Sequence, residues 1–102
     1  MKTAGIYGFY PVVDDVRWLR RWLPLGVRTI QLRIKKQPMS EVRRQLREAL
    51  VIAADYEDCQ LIINDYWREA IALGARWVHL GQEDLAGADR AAIRAAGIKL
   101  GV

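Results

Sequence analysis

The segment Gln31-Leu32-Arg33-Ile34-Lys35 sets a carboxamide and two cations at alternate positions, with Leu32 and Ile34 between them. Successive side chains of an extended chain point to opposite faces, so Gln31, Arg33 and Lys35 share one face and Ile30, Leu32 and Ile34 the other. A guanidinium that binds bidentately, a compact ammonium and an amide donor together make a grip for an anion such as phosphate. An edge strand with solvated charges has the same pattern, and the strand taken alone weighs equally for both.

Further polar residues recur at the ends of apolar runs: Asp14 after the first, Asn64 and Asp65 after another, and His79, Gln82, Glu83 and Asp84 at or after a third. Neighbouring strands lie about 4.8 Å apart, so Asp65 and Asp84 can flank one small cation if their strands are adjacent. Hard oxygen donors, with a single cysteine and a single histidine in the chain, suit Mg2+, which keeps several waters and shares its shell with substrate phosphates. Each residue also has a plainer reading. Asp65 caps the following helix, Asp84 is an ordinary loop carboxylate, and His79 is a hydrogen-bonded core residue.

The elements that must position these groups are punctuated by a repeat. Leu25-Gly26-Val27-Arg28, Leu73-Gly74-Ala75-Arg76 and Ala96-Gly97-Ile98-Lys99 each place a glycine where a helix stops in the left-handed conformation, and an extended segment follows directly. Strands are expected over residues 5–13, 27–35, 60–64, 76–80 and 98–102, and helices over 15–25, 41–56, 67–73 and 88–96. Asp14 or Asp15 is expected to cap the first helix, and Ser40 with Glu41 to start the second. Strands joined by single helices run parallel and need helical cover. The fold class is therefore α/β, a parallel (βα)4β series. A whole (βα)8 barrel takes about 200 residues or more, so 102 residues supply roughly half of one. A doubly wound open sheet of five strands is the alternative at this length.

Composition narrows the function classes. Hydrophobic residues make 52% of the chain and charged residues 27%, which describes a single folded domain over residues 1–102 rather than a disordered segment. The longest apolar run, residues 49–54, is too short to span a bilayer, so no membrane partner is expected. The apolar stretch near the start is broken by Gly5, Gly8 and Pro11, unlike a signal peptide. Cys59 is the only cysteine, which excludes an intrachain disulfide and points to the cytoplasm. The net charge of +4 comes largely from helical arginines, among them Arg43, Arg44 and Arg47, which lie opposite the apolar stripe Val42, Leu46, Ala49, Leu50 and Ala53. Arg44 can pair with Glu48 one turn away. With no basic-aromatic interleaving and no zinc spacing, a solvated surface is favoured over a nucleic-acid face. The four tryptophans, Trp18, Trp22, Trp67 and Trp77, are expected to pack.

Four stretches resemble the thiamine-phosphate synthase (thiamine-phosphate pyrophosphorylase) family: Tyr10-Pro-Val-Val-Asp14, Gly26-Val-Arg-Thr-Ile-Gln-Leu-Arg-Ile-Lys35, Leu61-Ile-Ile-Asn-Asp-Tyr-Trp-Arg68, and Gly74 through Val78-His-Leu-Gly-Gln-Glu-Asp-Leu85. They stand in family order and spacing over nearly the whole chain. The resemblance implies a TIM-barrel transferase of thiamine biosynthesis. It condenses 4-amino-2-methyl-5-(diphosphooxymethyl)pyrimidine with thiazole phosphate, releasing diphosphate with magnesium bound. By motif, Gln31, Arg33 and Lys35 would hold the pyrimidine diphosphate, Asn64 would also touch that substrate, and Asp65 and Asp84 would ligate the metal. The implied chemistry is dissociative, with the leaving diphosphate stabilised electrostatically and no protein nucleophile required. The acidic residue common between the two cations in relatives is Ile34 here, on the face turned toward the helices. The resemblance breaks off at Gly101-Val102, before the half that would carry the thiazole-phosphate site, so the chain alone is expected to be a poor catalyst. Two alternatives follow: a non-catalytic half-barrel that self-associates through open sheet edges or complements another subunit, and a thiazole tautomerase relative, which need not keep the full polar set.

Overall fold

A computed structural model describes residues 10–80 and 88–101. Its elements are β1 (Val12–Val13), α1 (Arg17–Trp22) extended by a 3-10 turn (Leu23–Leu25), β2 (Thr29–Leu32), α2 (Met39–Ala53), β3 (Gln60–Asn64), α3 (Trp67–Leu73), β4 (Trp77–His79), α4 (Arg90–Ala95) and β5 (Lys99–Gly101). The five strands form one sheet in the order β1-β2-β3-β4-β5, and every pairing is parallel. Each strand therefore lies beside its successor. Crossovers of the usual right hand that all advance in one direction leave every helix on the same face. A doubly wound sheet needs the strand order to reverse, so the architecture is the parallel (βα)4β half of a barrel.

Burial follows this geometry. Ile30 and Leu32 of β2, Leu61 and Ile63 of β3 and Val78 of β4 alternate onto the helix side, where they join Leu19, Leu23, Val42, Leu46, Ala49 and Ile93 in one cluster. Ile34 is only 3% exposed and belongs to the same cluster, as expected of a residue turned toward the helices. The opposite face carries Val12, Gln31, Ile62 and Trp77 in register across four strands, with Asn64 and His79 one step further along. Val12 is 54% exposed there, and neither Ile62 nor Trp77 joins the hydrophobic cluster. Trp18 and Trp67 do pack against the cluster, whereas Trp22 remains 38% exposed.

The glycine stops are as expected: Gly26, Gly74 and Gly97 have φ of 92°, 79° and 78°. At Gly26 a built Cβ would meet nothing within 4 Å, so the requirement is the backbone conformation alone. Helix starts depart from expectation. Pro38 occupies the N-cap of α2 in the extended conformation and no side chain caps the helix, so Ser40 falls inside the first turn. Proline's fixed φ and missing N–H suit this entry and move the start ahead of Ser40. For α1 the N-cap is Val16; the carboxylate of Asp15 accepts from the Arg17 N–H at 2.9 Å. The Val16 N–H is satisfied from another helix, donating to Gln45 Oε1 at 2.9 Å. Strands are shorter than the apolar runs implied, and β2 ends at Leu32. Residues 5–9 and 102 of the expected terminal strands lie outside the described residues. No helix among the described residues is long and apolar enough to cross a membrane.

Candidate functional site

The parallel register brings Gln31 and Asn64 together at the carboxyl ends of β2 and β3. Asn64 Nδ2 donates to Gln31 Oε1 at 2.6 Å, and Gln31 Nε2 in turn donates to the Tyr10 hydroxyl at 3.3 Å. Two strands and the segment leading into β1 are thus linked through side chains. Gln31 is 5% exposed, one of two buried polar residues among those described, and no buried side-chain nitrogen or oxygen among those residues lacks a partner. A chain of amide and phenol hydrogen bonds fixes which way the carboxamide points, with Oε1 engaged by Asn64 and Nε2 by Tyr10.

Arg33 and Lys35 lie just past the end of β2, and the alternation continues into the loop: both are exposed, while Ile34 between them is buried. The Arg33 N–H donates to the Val13 carbonyl at 2.7 Å, extending the β1–β2 ladder by one step. Lys36, the next residue but two, has φ of 58° and turns the chain toward α2. Both cations line a cleft of about 790 Å³ with Tyr10, Asp14, Trp18 and Trp22. A separate cavity of about 480 Å³, lined by Leu50, Cys59, Leu61, Arg76 and Trp77, opens at the amino ends of β3 and β4. Parallel α/β sheets place their chemistry at the carboxyl ends; the first cleft runs along β1 and α1 and meets that end at Arg33 and Lys35, with Gln31, Asn64 and Asp65 outside its lining. The second is a packing feature in which burial pushes the Cys59 thiol up to about 11.

Asp65 closes β3. Its N–H donates to the His79 carbonyl at 2.9 Å, which ties the turn to β4, and both Asp65 and Tyr66 are left-handed, with φ of 66° and 37°. Two consecutive non-glycine residues in that region mark strain of the kind that gathers at functional sites. The Tyr66 hydroxyl donates to the Ile34 carbonyl at 3.0 Å. Burial, the Asp65 charge and the Glu69 charge, in that order, push the Tyr66 phenol upward, so it remains a donor across neutral pH. His79 is partly buried on the same face as Asn64. Asp84, with Gln82 and Glu83, lies outside the described residues, and among the described residues no group of three or more His, Cys, Asp or Glu is gathered to hold a metal. The structure thus places Gln31, Asn64, Asp65, Arg33 and Lys35 at one end of one sheet. Two contributors escaped the sequence: Tyr10, which ends the amide chain, and Tyr66, whose phenol reaches back to β2. The Asn-Asp-Tyr run gave no signal that its third residue would point toward a strand thirty residues earlier.

The family profile described as Thiamine monophosphate synthase matches residues 9–102. The chain belongs to that family. The thiamine-phosphate synthase of Rhizobium etli is 54% identical over 94 residues, covering 92% of this chain and 46% of that protein. Those of Photorhabdus laumondii subsp. laumondii and Salmonella choleraesuis are 50% identical over 100 residues and 55% over 95, covering 98% and 93% of this chain but 46% and 44% of theirs. The chain spans a little under half the length of these thiamine-phosphate synthases. No solved structure matches it significantly.

Proposed function

We propose that the chain carries the pyrimidine-diphosphate side of a thiamine-phosphate synthase. In that reaction 4-amino-2-methyl-5-(diphosphooxymethyl)pyrimidine is joined to thiazole phosphate with release of diphosphate. The observation that carries this reading is the Asn64 to Gln31 hydrogen bond of 2.6 Å, which joins β2 and β3 near their carboxyl ends, with Arg33 and Lys35 following the one strand and Asp65 the other. Arg33 offers a bidentate fork and Lys35 a point charge to diphosphate oxygens. Gln31, with Oε1 held by Asn64 and one N–H of Nε2 given to Tyr10, keeps its second N–H for the same group, and Asn64 borders the pyrimidine. Donors fixed before the reaction favour departure of the charged leaving group without reorganisation, and no protein nucleophile is needed. The carboxylate donors Asp65 and Asp84 fit Mg2+ by their hard oxygen chemistry. When bound, the ion would supply positive charge to the leaving diphosphate. We place this chemistry in the cytoplasm, where the lone thiol of Cys59 stays reduced, and expect the 102-residue chain to bind diphosphate rather than turn over efficiently.

Calorimetry of the chain with pyrophosphate and Mg2+ tests the reading. A charged hydrogen bond contributes roughly 1.5–3 kcal/mol, so Arg33→Ala should weaken binding about tenfold or more. Asp65→Ala should remove the dependence on Mg2+. Absence of binding, or binding indifferent to both substitutions, overturns it.

A second reading rests on the margin of the described sheet at β1, where Val12 is 54% exposed and Trp22 of the adjoining α1 38%. We propose that the 102-residue chain also self-associates through its outermost strands.

A further inference from the structure

We propose that Tyr66 is a positioning residue for the diphosphate grip, fixing Lys35 through the main-chain carbonyl of Ile34. This rests on the diphosphate reading above and adds a residue to it. The two cations are not held alike. Arg33 has its own anchor, since its N–H donates to the Val13 carbonyl at 2.7 Å. Lys35 lies beyond the end of β2, followed by the left-handed Lys36. Between them the buried Ile34 side chain fixes one side of the backbone, and its carbonyl receives the Tyr66 hydroxyl at 3.0 Å from a separate strand-helix unit. That carbonyl belongs to the peptide unit leading directly into Lys35.

The left-handed pair Asp65-Tyr66 explains how the phenol gets there. With φ of 66° and 37°, the chain turns out of β3 so that Asp65 stays bonded to β4 through the His79 carbonyl while Tyr66 reaches back to β2. One turn therefore ties the backbone of Asp65 to the peptide unit that leads into Lys35. Such geometry matters because a ligand that meets both groups is held best when neither must move.

Tyr66→Phe keeps the ring and removes only the hydroxyl, so the unfolding midpoint should change little. Pyrophosphate affinity, read by calorimetry in Mg2+, should fall about fivefold, within the range of one neutral hydrogen bond. A purely structural tyrosine would cost the same in any background. A positioning tyrosine acts through Lys35, so in a Lys35→Ala background the same substitution should change affinity less than twofold. Equal penalties in the two backgrounds, or none in the first, overturn the inference while leaving the diphosphate reading standing. Absence of pyrophosphate binding by the unsubstituted chain removes that reading and this one with it.

Discussion

Glu41 shows how a single side chain on α2 is set by its neighbours. Arg44 donates to both of its carboxylate oxygens, at 2.8 Å each, and Gln45 Nε2 donates to Oε2 at 2.9 Å. The hydrogen bonds from Arg44 first and Gln45 second lower its pKa to about 2. A carboxylate depressed in the folded state stabilises the fold at pH above its unfolded value, near 4.5, and loses that contribution as pH falls through about 2. Carboxylate chemical shifts followed by NMR should give Glu41 a midpoint near 2, and Arg44→Ala should raise it toward 4.5. An unmoved midpoint would refute the pairing. Because Arg44 is more than half exposed, salt should weaken the effect. The pairing of Arg44 with Glu48 is legible from spacing, and its bond of 2.8 Å is present. The bond to Glu41, three residues back, is of the same local kind. Local rules reach this far because both partners ride on one helix. They do not reach Tyr10 or Tyr66, whose partners are set by strand register.

At the scale of elements, Gln45 is a buried residue that the apolar stripe of α2 does not announce. Its position on α2 follows the apolar stripe of Val42, Leu46 and Ala49, and it is only 2% exposed, although it is polar. The reason is α1, which begins at Val16 without a side-chain cap of its own. Gln45 accepts the Val16 N–H at 2.9 Å and donates onward to Glu41, with a longer contact of 3.4 Å to Asp15. A helix start is thus capped by a neighbouring helix, a relation that no spacing within α1 reveals. Gln45→Leu would keep the volume and strand the Val16 amide. An unsatisfied buried donor costs about 1–3 kcal/mol, so denaturant melts should show a loss of that order. Gln45→Glu, which keeps the acceptor but sets a buried carboxylate against Glu41 and Asp15, should also lose stability. If the leucine variant matches or exceeds the parent, the cap is not what stabilises the α1–α2 contact. Glycine stops, by contrast, were legible at all three sites because a left-handed φ depends on the residue itself. Ser40 misled because Pro38 starts α2 first.

Over the whole molecule, strand order decides what sequence alternation leaves open between a half-barrel and a doubly wound sheet. The order β1 to β5 without reversal puts the apolar cluster on one side and leaves Val12, Ile62 and Trp77 on the other. Asp84 and its neighbours fall outside the described residues, so the pairing of Asp65 with Asp84 stays a proposal for the calorimetric test. The two margins of the described sheet share a sign of charge: α1 carries Arg17, Arg20 and Arg21, and α4 carries Arg90 and Arg94. Of these, Arg17 is paired with Asp15 and Arg20 with Glu48. Apolar strand edges favour contact between copies, while like charges beside them oppose it. Salt screens the second term, with a Debye length of about 10 Å at 0.1 M, and leaves the first intact. Self-association of the 102-residue chain should therefore strengthen as salt rises, the reverse of an assembly held by ion pairs. Light scattering across a salt series reads this directly. Val12→Lys, placing a further cation on the exposed edge of β1, should shift the chain toward monomer at every salt concentration. A parent chain that stays monomeric throughout, or one that dissociates as salt rises, would show that the strand edges do not drive association.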